Sequence, residues 1–89
     1  MATLIVPAAF TTLTAGRSEV DLAGSTIRDV LNQLVEIYPD LRRRIFIGDR
    51  LASWINVYVG DDNIRHLNGL DTTLDASDTV MLLNAVAGG

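Results

Sequence analysis

The sequence predicts an α+β roll, a mixed sheet of four to five strands with one main helix packed on one face. Three observations lead there. Ile27 to Tyr38 repeats its apolar residues at helical spacing, Trp54 to Val59 alternates as a strand does, and Thr79 to Leu83 is a short apolar run between polar segments. The 89 residues allow one domain. A chain of this size buries only about 60–65% of its unfolded surface, so its core has little to spare.

Along the chain, Thr3-Leu4-Ile5-Val6 is apolar and β-branched and is closed by Pro7, as a first strand. Ser18 to Leu22 alternates polar and apolar residues, and Thr14-Ala15-Gly16 can turn the chain between the two, giving a hairpin. Helix capping comes next. Thr26 with Asp29 three residues on resembles a capping box, and Ile27, Val30, Leu31, Leu34 and Tyr38 form one stripe that Val35 and Ile37 widen. Pro39 disfavours helical geometry at Tyr38 and ends the helix.

Leu41 to Ser53 is expected to be irregular and carries Arg42-Arg43-Arg44. In the strand after it, Ile55, Val57 and Val59 face one way and Trp54, Asn56 and Tyr58 the other. Gly60 to Asn63 is a turn cluster, Ile64 to Leu67 a short returning strand, and Leu70 to Asp78 a loop. Thr79 to Leu83 is the last strand. The helix has one economical place, across the sheet, and the first and last strands then lie side by side at its centre. Residues 1–84 form the domain, and 85–89 a flexible tail.

Composition excludes more than it supplies. Seven arginines against eleven carboxylates leave a charge of −4, which argues against a nucleic-acid binder. Cysteine is absent, so thiol catalysis, disulfides and thiolate metal sites fall together. The apolar stretch Leu4 to Phe10 is too short to span a bilayer and lacks the flanks of a signal peptide, so a cytoplasmic protein is expected, without membrane partners. His66 is the only histidine, without a Gly-x-Ser-x-Gly elbow, and is expected to be an ordinary surface residue. The spacing of Asp61, Asp62, Asp71, Asp75 and Asp78 does not match a calcium loop, so no metal site is expected. Arg42 to Arg44 has two readings, a solvated segment favoured near a helix C-terminus and a docking contact for an acidic partner surface.

Gly88-Gly89 is different. Two terminal glycines arise by chance in roughly 0.5% of chains, and as structure they contribute little, having no side chain to pack. As chemistry, a carboxylate on a tail without Cβ atoms can be threaded through a narrow channel into another protein's active site. There it can be activated by ATP as an acyl-adenylate and passed to a nucleophile.

A chain of this order ending in Gly-Gly resembles the ubiquitin-like β-grasp sulfur carriers of the MoaD/ThiS family. The resemblance covers essentially the whole chain. It rests on Thr26-Ile27-Arg28-Asp29-Val30-Leu31, Ile55-Asn56-Val57-Tyr58-Val59, Ile64-Arg65, Gly69-Leu70-Asp71-Thr72, Asp78-Thr79-Val80 and Ala85-Val86-Ala87-Gly88-Gly89. The tail is similar to that of carriers that deliver sulfur for cysteine formation. Asn84 stands where the family often has proline, and Ser77-Asp78 where it often has Gly-Asp.

The resemblance implies a carrier rather than an enzyme, with no bound cofactor. A ubiquitin-activating-type adenylyltransferase/sulfurtransferase would consume ATP to adenylate Gly89, and sulfur transfer would leave a C-terminal thiocarboxylate. A downstream enzyme, in cysteine-forming systems a pyridoxal-phosphate-dependent synthase, would take the sulfur, and a JAMM-type metalloprotease would release the product. Molybdopterin or a sulfur-containing secondary metabolite is an alternative acceptor. A protein modifier and a plain interaction module remain as other classes. The absence of lysine and cysteine is consistent with a reactive terminal acyl group. Docking is expected on the tail residues Val86 and Ala87 and on a sheet face made by Trp54, Tyr58, Met81 and Leu83, if Val80 and Leu82 turn to the helix.

Overall fold

The computed structural model describes residues 1–85. The N-terminal strand, β1 (Ala2–Ile5), sends Ala2 and Leu4 into the core, and Pro7 ends it. The link to the second strand is more than a turn. Ala8–Leu13 winds as a 3₁₀ helix that buries Phe10, and the buried Thr14 hydroxyl donates to the Arg17 carbonyl at 2.8 Å. The chain then returns as β2 (Glu19–Leu22), antiparallel to β1 with Ala2 opposite Leu22 and Ile5 opposite Glu19, the expected hairpin.

Helix α1 (Ile27–Ile37) follows the apolar stripe: Ile27, Val30, Leu31, Leu34 and Val35 are buried. Ile37, expected to widen that stripe, is 51% exposed, at the edge of the stripe in the last turn of the helix. Thr26 caps the helix, its hydroxyl accepting the Asp29 N–H at 3.2 Å. Asp29 reaches one residue beyond the reciprocal position, taking the backbone N–H and hydroxyl of Ser25, each at 3.2 Å. Gly24 makes that approach possible. Its φ is +151°, and a Cβ there would lie 2.7 Å from the Asp29 Cβ.

The segment expected to be irregular is organised. Pro39–Leu41 forms a 3₁₀ turn, followed by the single-turn helix α2 (Arg42–Ile45) and a ribbon of β3 (Phe46–Ile47) and β4 (Arg50–Leu51). Leu41, Ile45, Phe46 and Ala52 are its buried anchors, and the four-residue spacing of Leu41 and Ile45 leaves the three arginines between them exposed.

Strand β5 (Ile55–Val59) leads through a turn at Gly60 into β6 (Asp62–Asn63). The expected strand over Ile64 to Leu67 is absent. Ile64 turns into the core, 1% exposed, and the Asn63 side chain accepts the Arg65 N–H at 2.9 Å, so Ile64–His66 coils into a 3₁₀ turn. After the loop, β7 (Thr79–Asn84) completes a five-stranded sheet in the order β2-β1-β7-β5-β6, with β1 and β7 adjacent and parallel at its centre and α1 across one face. The loop also holds the helix start: Ile27 donates to the Thr72 carbonyl at 3.0 Å and Leu74 to the Ser25 carbonyl at 2.8 Å. No helix of the described residues is long and apolar enough to cross a membrane.

Two outcomes follow for the cap. Gly24→Ala meets both the positive φ and the Asp29 Cβ, with the Val30 N–H close behind, and should cost about 2 kcal/mol in urea unfolding. The hydrogen bonds from Ser25, then those from Thr26, hold the Asp29 carboxyl below its ordinary pKa. A carboxyl with a lowered folded-state pKa adds stability above its unfolded value, about 4, and loses it as pH falls through the folded value. Wild type should therefore exceed Asp29→Asn in stability at pH 7, with the difference closing below about pH 4.

Candidate functional site

The site begins with the period-two alternation of β7. Val80 and Leu82 are fully buried beneath α1, while Met81 and Leu83 on the opposite face are 41% and 40% exposed. Register brings partners beside them. Tyr58 lies directly opposite Met81, and Asn56 opposite Leu83. Both are half-buried, whereas Ile55 and Val57, which alternate with them, are fully buried. The face expected from Tyr58, Met81 and Leu83 is therefore present.

Trp54 departs from the expectation in one respect. It sits in the turn before β5 rather than in the strand, and its indole Nε1 donates to the Arg44 carbonyl at 2.9 Å. That bond fixes a ring that is 38% exposed at the end of the sheet where β7 finishes. The Trp54 carbonyl in turn accepts the Ala85 N–H at 2.7 Å, so the indole and the last described residue are joined through one peptide unit.

Two neighbours were not foreseen. Ile5, half-buried, pairs with Met81 across the parallel β1–β7 junction and extends the apolar face. Its place follows from the alternation around Leu4, once the pairing is known. Arg65 donates through Nη2 to the Ile55 carbonyl at 3.0 Å, on the side of β5 away from Asn84. No sequence signal separates it from any other surface arginine.

Val86, Ala87, Gly88 and Gly89 lie outside the described residues. The structure gives the point from which they depart, the end of a central strand whose last residues are held by β5 and by the Trp54 carbonyl and bordered by Trp54, Tyr58, Met81 and Leu83. This end of the sheet presents apolar side chains at an exposed surface, which suits protein docking better than small-molecule catalysis. His66 is exposed on its 3₁₀ turn, and among the described residues no three His, Cys, Asp or Glu side chains gather in a metal-holding group.

The family model of the ThiS family matches residues 4–89. The chain belongs to the ThiS family. Among ThiS-like relatives, the sulfur carrier protein CysO of Mycobacterium tuberculosis is 31% identical over 90 residues, 98% of this chain and 97% of that one. A chain in the crystal structure of the BexX/CysO complex of Amycolatopsis orientalis superposes with a TM-score of 0.93 at 30% identity, each chain fully covered. The small archaeal modifier protein 1 of Methanosarcina acetivorans superposes at 0.87 with 37% identity, covering 99% of this chain and 95% of that one. The fold is thus the ubiquitin-like β-grasp.

The alternation of β7 can be tested directly. Leu82→Ala should cost roughly 2–5 kcal/mol, as for other buried leucines. Leu83→Asp, one residue on, should leave the urea midpoint nearly unchanged.

Proposed function

We propose that this protein is a sulfur carrier, a protein cosubstrate rather than an enzyme, and that Gly89 is its reactive residue. The observation that carries this reading is the placement of β7. The central strand ends on an exposed apolar face and continues into Ala85-Val86-Ala87-Gly88-Gly89, within a family match that extends to residue 89.

In the proposed reaction a ubiquitin-activating-type adenylyltransferase/sulfurtransferase binds the sheet face and takes in the tail. The Gly89 carboxylate attacks the α-phosphate of ATP, expelling pyrophosphate. A sulfide equivalent then displaces AMP from the acyl carbon and leaves a thiocarboxylate. This chain supplies recognition and reach: Met81, Leu83, Tyr58 and Trp54 for docking, and Val86 to Gly89 as a segment narrow enough for a channel.

The similarity to CysO supports cysteine as the end product, with a pyridoxal-phosphate-dependent synthase as sulfur acceptor and a JAMM-type metalloprotease to release the amino acid. Molybdopterin or a secondary metabolite would require the same tail chemistry. A second reading, attachment to protein amines, draws support from the likeness to small archaeal modifier proteins, including modifier protein 3 of Haloferax volcanii at 34% identity over 65 residues.

Intact mass spectrometry after incubation with the activating enzyme, ATP and a sulfide source separates these readings. The carrier gains about 16 Da, sulfur for oxygen. A ladder of heavier conjugates in cell extract would favour the modifier. Deleting Gly89 should abolish the gain and leave unfolding unchanged, and Leu83→Asp should weaken binding to the activating enzyme by roughly tenfold or more.

A further inference from the structure

The three arginines of α2 acquire a position in the fold that their sequence does not give them. The Trp54 indole is bonded to the Arg44 carbonyl, and the Trp54 carbonyl to the Ala85 N–H. Arg65, bonded to the Ile55 carbonyl, flanks the same end, since Ile55 is the partner of Asn84. Four of the seven arginines thus stand around the departure point of the C-terminal segment. The carboxylates nearest to α2 in sequence are Asp40 and Asp49, and Asp40 lines a groove with Arg43 and Arg44, so the three arginines of α2 outnumber them.

The opposite end of the sheet has the opposite sign. Asp61 and Asp62 turn the chain from β5 to β6, and Asp75 and Asp78 lead into β7, where the Asp78 carbonyl accepts the Thr3 N–H. Five residue steps along β7 separate Thr79 from Asn84, on the order of 17 Å. Charges are screened over about 8 Å at physiological ionic strength. The two ends therefore act separately on anything that approaches, and the net charge of −4 conceals a basic end.

We propose that this basic end is a docking surface for an acidic protein surface surrounding the opening that receives the C-terminal segment. Arg42, Arg43 and Arg44 are exposed, and guanidinium groups pair with carboxylates in a fixed fork geometry. The Trp54–Arg44 bond ties α2 to the apolar face, so charge and apolar contact arrive as one unit. Steering by such a patch raises the association rate and orients the tail before contact. This inference deepens the carrier reading and rests on it for the identity of the partner.

The test compares two variants that each lower the net charge by two: R42Q/R43Q at the basic end, and A76E/S77E at the far end. None of these side chains is buried, and the bond to Trp54 uses a backbone carbonyl, so unchanged melting is the control for folding. Binding to the organism's ubiquitin-activating-type adenylyltransferase is followed by surface plasmon resonance at low and high salt. R42Q/R43Q should associate about five- to tenfold more slowly at low salt, with the gap closing at high salt. A76E/S77E should stay within about twofold of wild type. Equal losses in both variants, no loss in R42Q/R43Q, or no binding by wild type overturns the proposal. Pyrophosphate exchange, read in parallel, reports on the carrier reading alone. Position-dependent binding without Gly89-dependent exchange sustains the surface and refutes the adenylation. Normal exchange with no loss of binding in R42Q/R43Q does the reverse.

Discussion

The structure depends above all on β7 being held between two strands, parallel to β1 and antiparallel to β5. A central strand has its backbone donors and acceptors engaged on both sides, so it frays less readily than an edge. The chain leaves the domain from the end of that strand. Val80 and Met81 pair with both neighbours and Leu82 to Asn84 with β5 alone, so a partner that captures the C-terminal segment pulls first on a stretch held by β5 and then on one held from both sides. Had the last strand been an edge such as β6, two residues long, the same pull would tend to unzip it.

Because side chains on a strand alternate, β7 serves the core and the surface at once. Val80 and Leu82 help hold α1, while Met81 and Leu83 lie open with Tyr58 and Ile5 beside them. A one-residue slip of register would exchange the two sets and ruin both. Packing against α1 thus also fixes which residues lie on the open face. The cap at Thr26 and the loop bonds from Thr72 and Ser25 belong to the same constraint, since they set where α1 lies on the sheet.

Most of this was legible in the sequence where a pattern repeats. The stripe from Ile27 to Val35, the alternation of β5 and the apolar run of β7 each contain several residues that agree with one another, and the central place of the first and last strands followed from helix placement. Where single residues decide, the pattern was too short. Ile64 alone converts an expected strand into a 3₁₀ turn by entering the core, and Leu41, Ile45, Phe46 and Ala52 organise a segment with no sustained period. Two-residue strands such as β3 and β4 carry no periodicity at all. Most of the open apolar face was legible: alternation placed Trp54, Tyr58, Met81 and Leu83 on it, but Ile5 needed the parallel pairing, and the position of Trp54 in a turn before β5, bonded to α2, had no sequence signal.

The parallel pairing also bears on the missing nucleophiles. An acyl-adenylate at Gly89 would meet its own chain at high effective concentration, on the millimolar order for a short linker, so a nearby amine or thiol would compete with the intended sulfur donor in displacing AMP. No lysine or cysteine is present, and arginine stays protonated and unreactive. The amine of Met1 precedes β1, and β1 starts beside the start of β7, at the far end of the sheet from Asn84. Seven residue steps at strand spacing put it on the order of 24 Å away, whereas the five residues after Asn84 reach at most about 17 Å. In the proposed carrier this topology would hold the Met1 amine beyond the reach of Gly89, and the charged side chains close enough to matter would be those that can attract a partner without attacking the acyl group.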